Sequence, residues 1–229
     1  MSASVTTFAS SSTAMNSSIG RVPWPMVQMR THRVWNTRTV KEAPPRPDVT
    51  VRPVSPDQHD AVLHYFDLVA YADNPNWSRC YCIERLAADY NERTKEQNRA
   101  LRSELIHSAK ANGLVAYRLG RVVGWCHAAP KTEVLNVPGE VTPGVGAIVC
   151  FVVAPDQRNQ GIATTLLDAA IEHLRKRGMR SVEAYPVIGE IPPSRWVFAN
   201  YLGPLSMYVK AGFQIVEQLD GQAIVRREL

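Results

Sequence analysis

The stretch AIVCFVVAPDQRNQGIATTLLDAAIEHLRKRG, residues 147–178, carries the strongest structural signal in this chain. Its first eight residues are continuously apolar, which is typical of a central strand buried on both faces. A short polar loop follows, and apolar residues then recur at helical spacing up to Gly178, which is placed to end the helix. The inward positions of this helix are Ile162, Leu166, Leu167, Ala170, Ile171 and Leu174. The stretch therefore predicts a buried strand, a loop and an amphipathic helix.

The loop between that strand and that helix has the features of an anion site. Free backbone N–H groups and the positive end of the helix dipole converge at a helix N-terminus. Gly161 would let a phosphate approach the backbone closely, and Arg158 adds a cation beside it. The alternative is an ordinary strand-to-helix connection with an exposed arginine. The loop contains neither G-K-[ST] nor G-x-G-x-x-G, which excludes a Walker-type phosphate loop and the dinucleotide fingerprint.

Regular patterns continue on the N-terminal side of this stretch. Residues 49–54 alternate as a strand, and Ser55 to Gln58 have the form of a capping box with proline at the first helical position. Thr94 to Gln97 form a second capping box, which predicts another helix. Residues 114–119 and 122–129 predict a β-hairpin, with Gly120-Arg121 as a type II′ turn.

Composition bounds the class of protein. The chain has 229 residues, 45% of them apolar and 21% charged, which suits one globular domain. No apolar run approaches the ~18 residues that a membrane span needs. Residues 1–49 contain six Lys and Arg against two Asp and Glu, whereas residues 50–229 contain twenty against nineteen. The nearly neutral folded part lacks the basic surplus of a nucleic-acid binder, so no nucleic acid and no membrane are expected as partners.

Residues 1–48 differ from the rest. They are rich in Ser, Thr, Pro and Arg, have no acidic residue before Glu42, and show no periodicity. We interpret them as a disordered tail in front of a domain at 49–229. A targeting segment is one alternative, because transit peptides are also Arg-rich, Ser-rich and acid-poor. An upstream extension, with the true start at Met26 or Met29, is the other.

The four cysteines, Cys80, Cys82, Cys126 and Cys150, are too sparse for a disulfide scaffold and fit a reducing compartment. This predicts a cytoplasmic protein, or an organellar one if the tail is a transit peptide. The spacing Cys80-x-Cys82 with Cys126-His127 does not match the usual zinc sites, so we expect buried thiols and no metal. None of the cysteines stands in a nucleophile elbow or at a capped helix start, so no covalent enzyme intermediate is expected.

The pattern Arg158-x-x-Gly161-x-Ala163 after a buried strand resembles the acetyl-CoA pyrophosphate loop of the Gcn5-related N-acetyltransferase (GNAT) superfamily. Residues 203–213, in which Tyr208 precedes Gly212-Phe213, are similar to that family's closing helix. The resemblance runs from about residue 49 to the end of the chain. It implies an α/β fold with a mixed, partly splayed β-sheet flanked by helices on both faces. It also implies transfer of an acetyl group from acetyl-CoA, the cosubstrate, to a primary amine by direct attack.

The resemblance also implies which residues form the cofactor site. The pyrophosphate would lie on the amides of the loop, and the pantetheine would pair with the edge of the preceding strand. The residues so implied are Phe151, Val152, Val153, Arg158, Asn159, Gln160, Gly161, Ile162 and Ala163. The acetyl carbonyl would meet a backbone N–H near Val152 or Val153. Tyr208 would protonate the departing thiolate, or alternatively would only pack against the cofactor.

The resemblance does not supply a general base, because Ala147 stands where histone-type members of the family have a glutamate. Glu140, His127, Asp67 or a water chain remain as candidates, and their spacing favours none of them.

The acceptor side is less defined. The aromatic residues of segment 77–82, together with Trp196, Phe198 and Tyr201, either line an acceptor pocket or belong to the core. A small-molecule amine is the favoured acceptor, with residues 72–110 as a cap over its pocket. The alternatives are a protein lysine or N-terminus, or a non-catalytic acyl-CoA-binding module. The oligomeric state is left open, a homodimer included.

Overall fold

The computed structural model describes residues 48–189 and 201–229. Within them, seven strands form one sheet in the order β1-β2-β3-β4-β5-β7-β6. The strands are β1 (Val49–Pro53), β2 (Gly113–Arg118), β3 (Arg121–Pro130), β4 (Val145–Val153), β5 (Ser181–Ala184), β6 (Gln214–Leu219) and β7 (Gln222–Glu228). The tail predicted over residues 1–48 lies outside the described residues except for Asp48.

Four α-helices accompany the sheet in the described part of the chain: α1 (His59–His64), α2 (Lys95–His107), α3 (Ile162–Lys176) and α4 (Leu205–Lys210). A 3-10 turn, Pro56–Gln58, leads into α1, and a π-helical turn, Tyr65–Val69, continues it. All six apolar positions that the sequence places on the inner face of α3 are buried. No helix in the described ranges is both long and apolar enough to cross a membrane.

The sheet opens in its middle. β4 pairs with β3 in antiparallel fashion along most of its length. Its pairing with β5 is parallel and covers only residues 145–148 of β4 and 181–184 of β5. From Val149 onward, the β5 side of β4 therefore has no neighbouring strand in the described structure. This is the mixed, partly splayed sheet that the sequence predicts.

Alternating residues of the strands face two separate cores. Ala116, Cys126 and Phe151 point to the face covered by α3 and α4. Val115, Trp125 and Val152 point to the other face, where residues of α1 and α2 pack. Because side chains alternate along a strand, β4 contributes to both cores and is buried on both faces.

Local structure confirms one predicted capping box and contradicts the other. The Gln97 N–H donates to Thr94 Oγ1 at 3.2 Å, and the Thr94 N–H donates to Gln97 Oε1 at 2.8 Å. At the other site, the Gln58 N–H donates to the backbone carbonyl of Ser55 at 3.0 Å, and the Ser55 side chain makes no cap bond. The predicted box at Ser55 is wrong because Pro56 begins a single 3-10 turn whose own backbone bond uses that donor.

The hairpin forms, but its turn lies one residue earlier than predicted. Leu119 and Gly120 both have positive φ, 50° and 75°, and Arg118 pairs with Arg121. Two consecutive positive φ values define a type I′ turn, whose twist matches that of the flanking strands. Gly120 thus occupies the second turn position and Arg121 already belongs to β3.

Candidate functional site

The open edge of β4 presents backbone groups for a ligand. The Ala154 N–H donates to the Val123 carbonyl of β3 at 3.0 Å. Backbone groups alternate between the two sides of a strand, so Val152 also faces β3 while Phe151 and Val153 face the open edge. The Val152 carbonyl, in addition, accepts a bond from the Tyr65 hydroxyl at 2.8 Å. Of the three predicted cofactor residues on β4, Phe151 and Val153 are placed to pair with an extended ligand through their backbone, and Val152 is not.

The loop that follows β4 ends at an uncapped helix start. Gly161 precedes α3 with φ 81°, in the left-handed region where glycine carries no Cβ penalty. No side chain caps α3, and its first turn has no acidic residue. The first N–H groups of an α-helix have no partner inside the helix. The amides at Ile162 and Ala163 therefore lie where an anion can bind.

The Gln160 side chain of the loop is already engaged with protein. The Gln160 amide group donates to the Asp156 carbonyl at 3.0 Å, and its oxygen accepts from Arg118 at 2.8 Å. Asn159 adopts φ 57°, which is more common for asparagine than for most residues. These contacts fix the loop's shape and leave its backbone to serve a ligand.

Arg158 lies across the open edge of β4 and is paired with a carboxylate. Its Nε donates to the Val153 carbonyl at 3.1 Å, and its two terminal nitrogens pair with the Asp73 carboxylate at 2.5 and 3.0 Å. The Arg158 guanidinium holds the pKa of Asp73 below its usual value. Asp73 comes from the loop after α1, and no sequence pattern indicated this contact.

Tyr208 is completely buried beside the predicted cofactor edge. Its ring lies 6.4 Å from that of Phe151 and 5.3 Å from that of Phe213, centroid to centroid. Its hydroxyl donates to the Leu202 carbonyl at 2.6 Å. Burial raises the pKa of Tyr208 well above its usual value. The hydroxyl must leave the Leu202 carbonyl before it can donate to another acceptor.

A cleft lies beside β4, directly before the open edge. Three aromatic rings line it, and Tyr201 contacts both others at centroid distances of 5.7 Å (Tyr71) and 5.5 Å (Trp77). The complete lining is Tyr71, Trp77, Cys80, Cys82, Glu84, Arg85, Val149, Cys150, Tyr201 and Leu202. Trp77 and Tyr201 therefore do both things that the sequence left open, since they pack against the core and line the cleft, whereas Tyr81 packs in the core and is not part of the lining. Trp196 and Phe198 lie outside the described residues.

The base candidates from the sequence are not equally placed. Asp67 is paired with Arg99 at 2.9 Å and accepts from the Tyr81 hydroxyl at 2.6 Å, and it does not line the cleft. Glu140 is exposed and also lies outside the cleft lining. His127 is fully buried, with its Nδ1 3.6 Å from the Cys82 sulfur.

Two carboxylates that the sequence did not single out lie closer to β4. Glu183 is the β5 partner of Ala147, but Lys131 at 2.6 Å and Arg226 at 2.5 Å hold it in a buried ion pair. Glu84 lines the cleft, and burial raises the pKa of its carboxyl. Glu84 stands in an irregular loop without periodicity, so no sequence signal could have identified it.

The described ranges hold no cluster of metal-binding side chains. No group of three or more His, Cys, Asp or Glu side chains there is arranged to hold a metal ion. The polar groups at the cleft and the open edge are backbone amides, the Glu84 carboxylate, thiols, and the guanidinium groups of Arg85 and Arg158. Such a set suits binding of an anionic, extended ligand next to a pocket for a small organic group.

Comparison with known proteins gives matches in sequence and in structure. Residues 74–189 match the model of the acetyltransferase (GNAT) family. An uncharacterized N-acetyltransferase of Methanocaldococcus jannaschii is 36% identical over 69 residues, which is 30% of this chain and 26% of that protein. The chain therefore matches only about a quarter of that curated relative's length.

Several solved structures are similar at low sequence identity. The N-acetyltransferase of Staphylococcus aureus Mu50 is 16% identical, with a TM-score of 0.48 over 79% of this chain and 98% of that one. The PaiA N-acetyltransferase of Thermoplasma acidophilum, solved in complex with coenzyme A, is 16% identical, with a TM-score of 0.47 over 79% and 99%. The ribosomal-protein-alanine N-acetyltransferase of Brucella melitensis is 22% identical, with a TM-score of 0.46 over 79% and 99%.

Proposed function

The chain belongs to the acetyltransferase (GNAT) family and uses acetyl-CoA as its cosubstrate. We propose that it transfers the acetyl group to the primary amine of a small molecule by direct attack. One observation carries this proposal: an aromatic cleft with a carboxylate on its wall ends at β4 immediately before the open edge and the uncapped start of α3. An acceptor in the cleft and a cofactor on the edge would meet at β4.

The cofactor half of the proposed site is mainly backbone. The amides from Arg158 to Ala163 would hold the pyrophosphate, and the Phe151 and Val153 backbone groups would pair with the pantetheine. The Val153 N–H, which faces the open edge, is the proposed donor to the acetyl carbonyl oxygen as negative charge develops there. Val152 is dropped from this role because its backbone groups face β3.

The acceptor half is suited to a cation. The faces of Tyr71, Trp77 and Tyr201 attract an ammonium group, and the Glu84 carboxylate attracts it further. An amine must lose a proton to attack a carbonyl carbon. We propose Glu84 as the acceptor of that proton, because burial raises its pKa toward the range where a carboxylate is a more effective base.

Tyr208 is the proposed donor to the departing CoA thiolate. Its ring packs against Phe151, one of the two β4 residues that would hold the pantetheine. The Leu202 carbonyl that now accepts its proton belongs to a residue of the cleft lining. A ligand in the cleft that displaces this bond would release the hydroxyl toward the thiolate.

The compartment proposed for this activity is the cytoplasm. All four cysteines are free thiols, which is the usual state in a reducing environment.

The first experiment tests the cofactor site. Calorimetric titration with acetyl-CoA should show micromolar binding by the native chain, and Gly161→Glu should weaken it at least about tenfold through bulk and charge at the helix start. Gly178→Glu is the matched control, because Gly178 has a similar φ of 78° at the other end of α3 and open space around it. Equal loss in both variants, or none in either, would remove the loop from the proposal.

The second experiment tests the acceptor. Thiol release from acetyl-CoA should be fast with small amines and slow with lysine-containing peptides. Glu84→Gln should lower kcat/KM about a hundredfold and remove the fall in rate toward acidic pH, since the base must be deprotonated to act. Glu92→Gln, an exposed change in the same region, should have no effect. Turnover with peptides alone would show that the acceptor is a protein. Binding of acetyl-CoA without turnover of any acceptor would indicate an acyl-CoA-binding module.

A further inference from the structure

Cys82 lies in the cleft wall within a cluster of polar groups that the acetyl transfer does not use. The side chain is almost completely buried, at 3% exposure for the residue. Its sulfur is 3.6 Å from Nδ1 of His127 on β3, and Cys150, the β4 residue paired with His127, lines the same cleft. Arg102 of α2 donates to the carbonyls of Tyr81 and Cys82, each at 2.9 Å.

Within the described residues, Arg102 is a buried cation without a carboxylate partner. The residue is fully buried and its guanidinium lies 4.8 Å over the Trp125 ring. Its bonds go to backbone carbonyls, and one terminal nitrogen has no partner within the described structure. A buried charge is costly unless an opposite charge lies nearby. The sulfur of Cys82 is the ionisable group best placed to supply that charge.

His127 adds a second unmatched polar group to the cluster. Its ring is fully buried, and Nε2 has no hydrogen-bond partner among the residues that the structure describes. A proton on Nδ1 would be donated to the Cys82 sulfur across the 3.6 Å contact. A cysteine and a histidine in contact are the pairing that activates a thiol as a nucleophile.

The electrostatic surroundings of Cys82 favour its charged form. Burial alone would raise the pKa of the Cys82 thiol, but the hydrogen bond from Cys150 and the charges of His127 and Arg102 outweigh burial and place this pKa well below its usual value. The same sulfur raises the pKa of Cys150, which therefore stays a thiol. The titratable and charged groups that face Cys82 are Cys80 and Glu84 on its own segment, Tyr71 in the loop after α1, His127 on β3, Cys150 on β4 and Arg102 on α2.

We propose that Cys82 is a nucleophilic thiolate in the folded chain and that a hydroperoxide oxidises it to a disulfide with Cys150. The sequence predicts no nucleophilic cysteine, since Cys82 stands at no capped helix start. Its surroundings come instead from β3, β4 and α2. A low-pKa thiolate next to a second thiol is the arrangement of an oxidisable pair.

The reaction takes two steps. In the first, with hydrogen peroxide as the hydroperoxide, the Cys82 thiolate attacks one oxygen and the O–O bond breaks. Cys82 becomes a sulfenic acid, and the released hydroxide takes a proton from solvent to form water. In the second, the Cys150 sulfur attacks the Cys82 sulfur, the S–O bond breaks, and water leaves with the proton of the Cys150 thiol. The two sulfurs are oxidised by two electrons in total and the peroxide is reduced to water.

Both sulfurs line the cleft, so a bond between them would tie segment 77–82 to β4 across the acceptor position. The resulting loss of acetyl transfer rests on the proposed function. The oxidation itself does not, and it can be read from sulfur chemistry alone.

The test begins with alkylation of the full chain by iodoacetamide, located by peptide mass spectrometry. The rate at Cys82 should change less than about threefold between about pH 6.5 and pH 8.5, whereas an ordinary thiol of pKa about 8.5 gains about fiftyfold. His127→Gln keeps a polar group and removes the imidazole, and it should restore the steep dependence at Cys82. An ordinary pH dependence at Cys82 in the native chain, or no alkylation of the folded chain there, would overturn the proposal.

Treatment with hydrogen peroxide then tests the partner. The expected product is a Cys82–Cys150 disulfide, which a thiol reductant reverses. Cys150→Ser should leave a sulfenic acid at Cys82 that dimedone traps, and Cys80→Ser, the matched control on the same turn, should leave the disulfide unchanged. A disulfide between Cys80 and Cys82, or oxidation that continues in Cys82→Ser, would contradict the proposal even if acetyl transfer proceeds as proposed.

Discussion

The Asp73 carboxylate would compete with the proposed cofactor for Arg158, so its removal should strengthen acetyl-CoA binding. The Asp73 carboxylate takes both terminal nitrogens of Arg158, at 2.5 and 3.0 Å, on the edge where the cofactor is proposed to lie. A pyrophosphate can recruit this guanidinium only after the pair breaks. Asp73→Asn removes the carboxylate charge with little change in shape, so less free energy is needed to release Arg158 for the pyrophosphate.

The size of the gain in acetyl-CoA binding follows from the solvent exposure of the Arg158–Asp73 ion pair. The side chains are 36% (Arg158) and 44% (Asp73) exposed, so solvent screens much of their attraction. Exposed ion pairs contribute about 0.2–1 kcal/mol, and the two-point geometry favours the upper part of that range. A gain of this size tightens the dissociation constant about 1.4- to 5-fold.

Calorimetry with acetyl-CoA at low ionic strength measures this directly. The gain should shrink as salt is raised, because the Debye length falls from about 30 Å at 0.01 M to about 10 Å at 0.1 M. It should vanish when Asp73→Asn is made in an Arg158→Ala background. Asp89→Asn is the control, since Asp89 pairs with Arg93 at 3.1 Å outside the cleft lining. Weaker binding by folded Asp73→Asn would refute the reasoning and show that Asp73 positions Arg158 for the cofactor.

Four further substitutions have definite expected outcomes. Tyr208→Phe should lower kcat about a hundredfold with little change in the acetyl-CoA dissociation constant; an unchanged kcat would leave this ring a packing role only. Glu183→Gln should lower the free energy of unfolding by about 3–5 kcal/mol at pH 7, because it leaves the buried Lys131 ammonium without its carboxylate. The pKa of Glu183 is lowered below 4.5, since Lys131 and Arg226 outweigh burial. Its contribution is therefore complete above pH 4.5 and lost as the pH falls through the folded-state value, so urea unfolding of the two chains should converge in acid. Thr94→Ala should cost about 1 kcal/mol in urea unfolding, and Ser55→Ala, where no cap bond exists, less than about 0.5 kcal/mol.

Much of the fold could be predicted because its determinants are local. The apolar run that became β4 and the helical spacing that became the inner face of α3 are properties of consecutive residues. The same holds for the capping box at Thr94. The errors were also local in origin. The box at Ser55 depended on which of two acceptors, the side-chain hydroxyl or the backbone carbonyl, takes the Gln58 N–H, and the turn after β2 depended on which register prevails. Residue type alone does not decide either.

The position of the proposed phosphate loop, between β4 and α3, is the part of the candidate site that the sequence determined by itself. A glycine with a basic residue between a buried strand and a helix places free amides at a helix start wherever the rest of the chain lies. The open edge of β4 could not be derived from the sequence alone, because it exists only where β5 stops pairing with β4 after four residues.

Only the tertiary structure decided which side chains meet in the cleft. Arg158 and Asp73 are 85 positions apart, and Cys82 and His127 are 45 apart. Glu84 reaches the cleft from a loop with no pattern of its own. A hydrophobic pattern tells which face of a strand or helix is buried, but not which residue of another element will lie against it. Those contacts depend on how the sheet pairs and how the helices pack on its two faces, and that is settled by the whole chain at once.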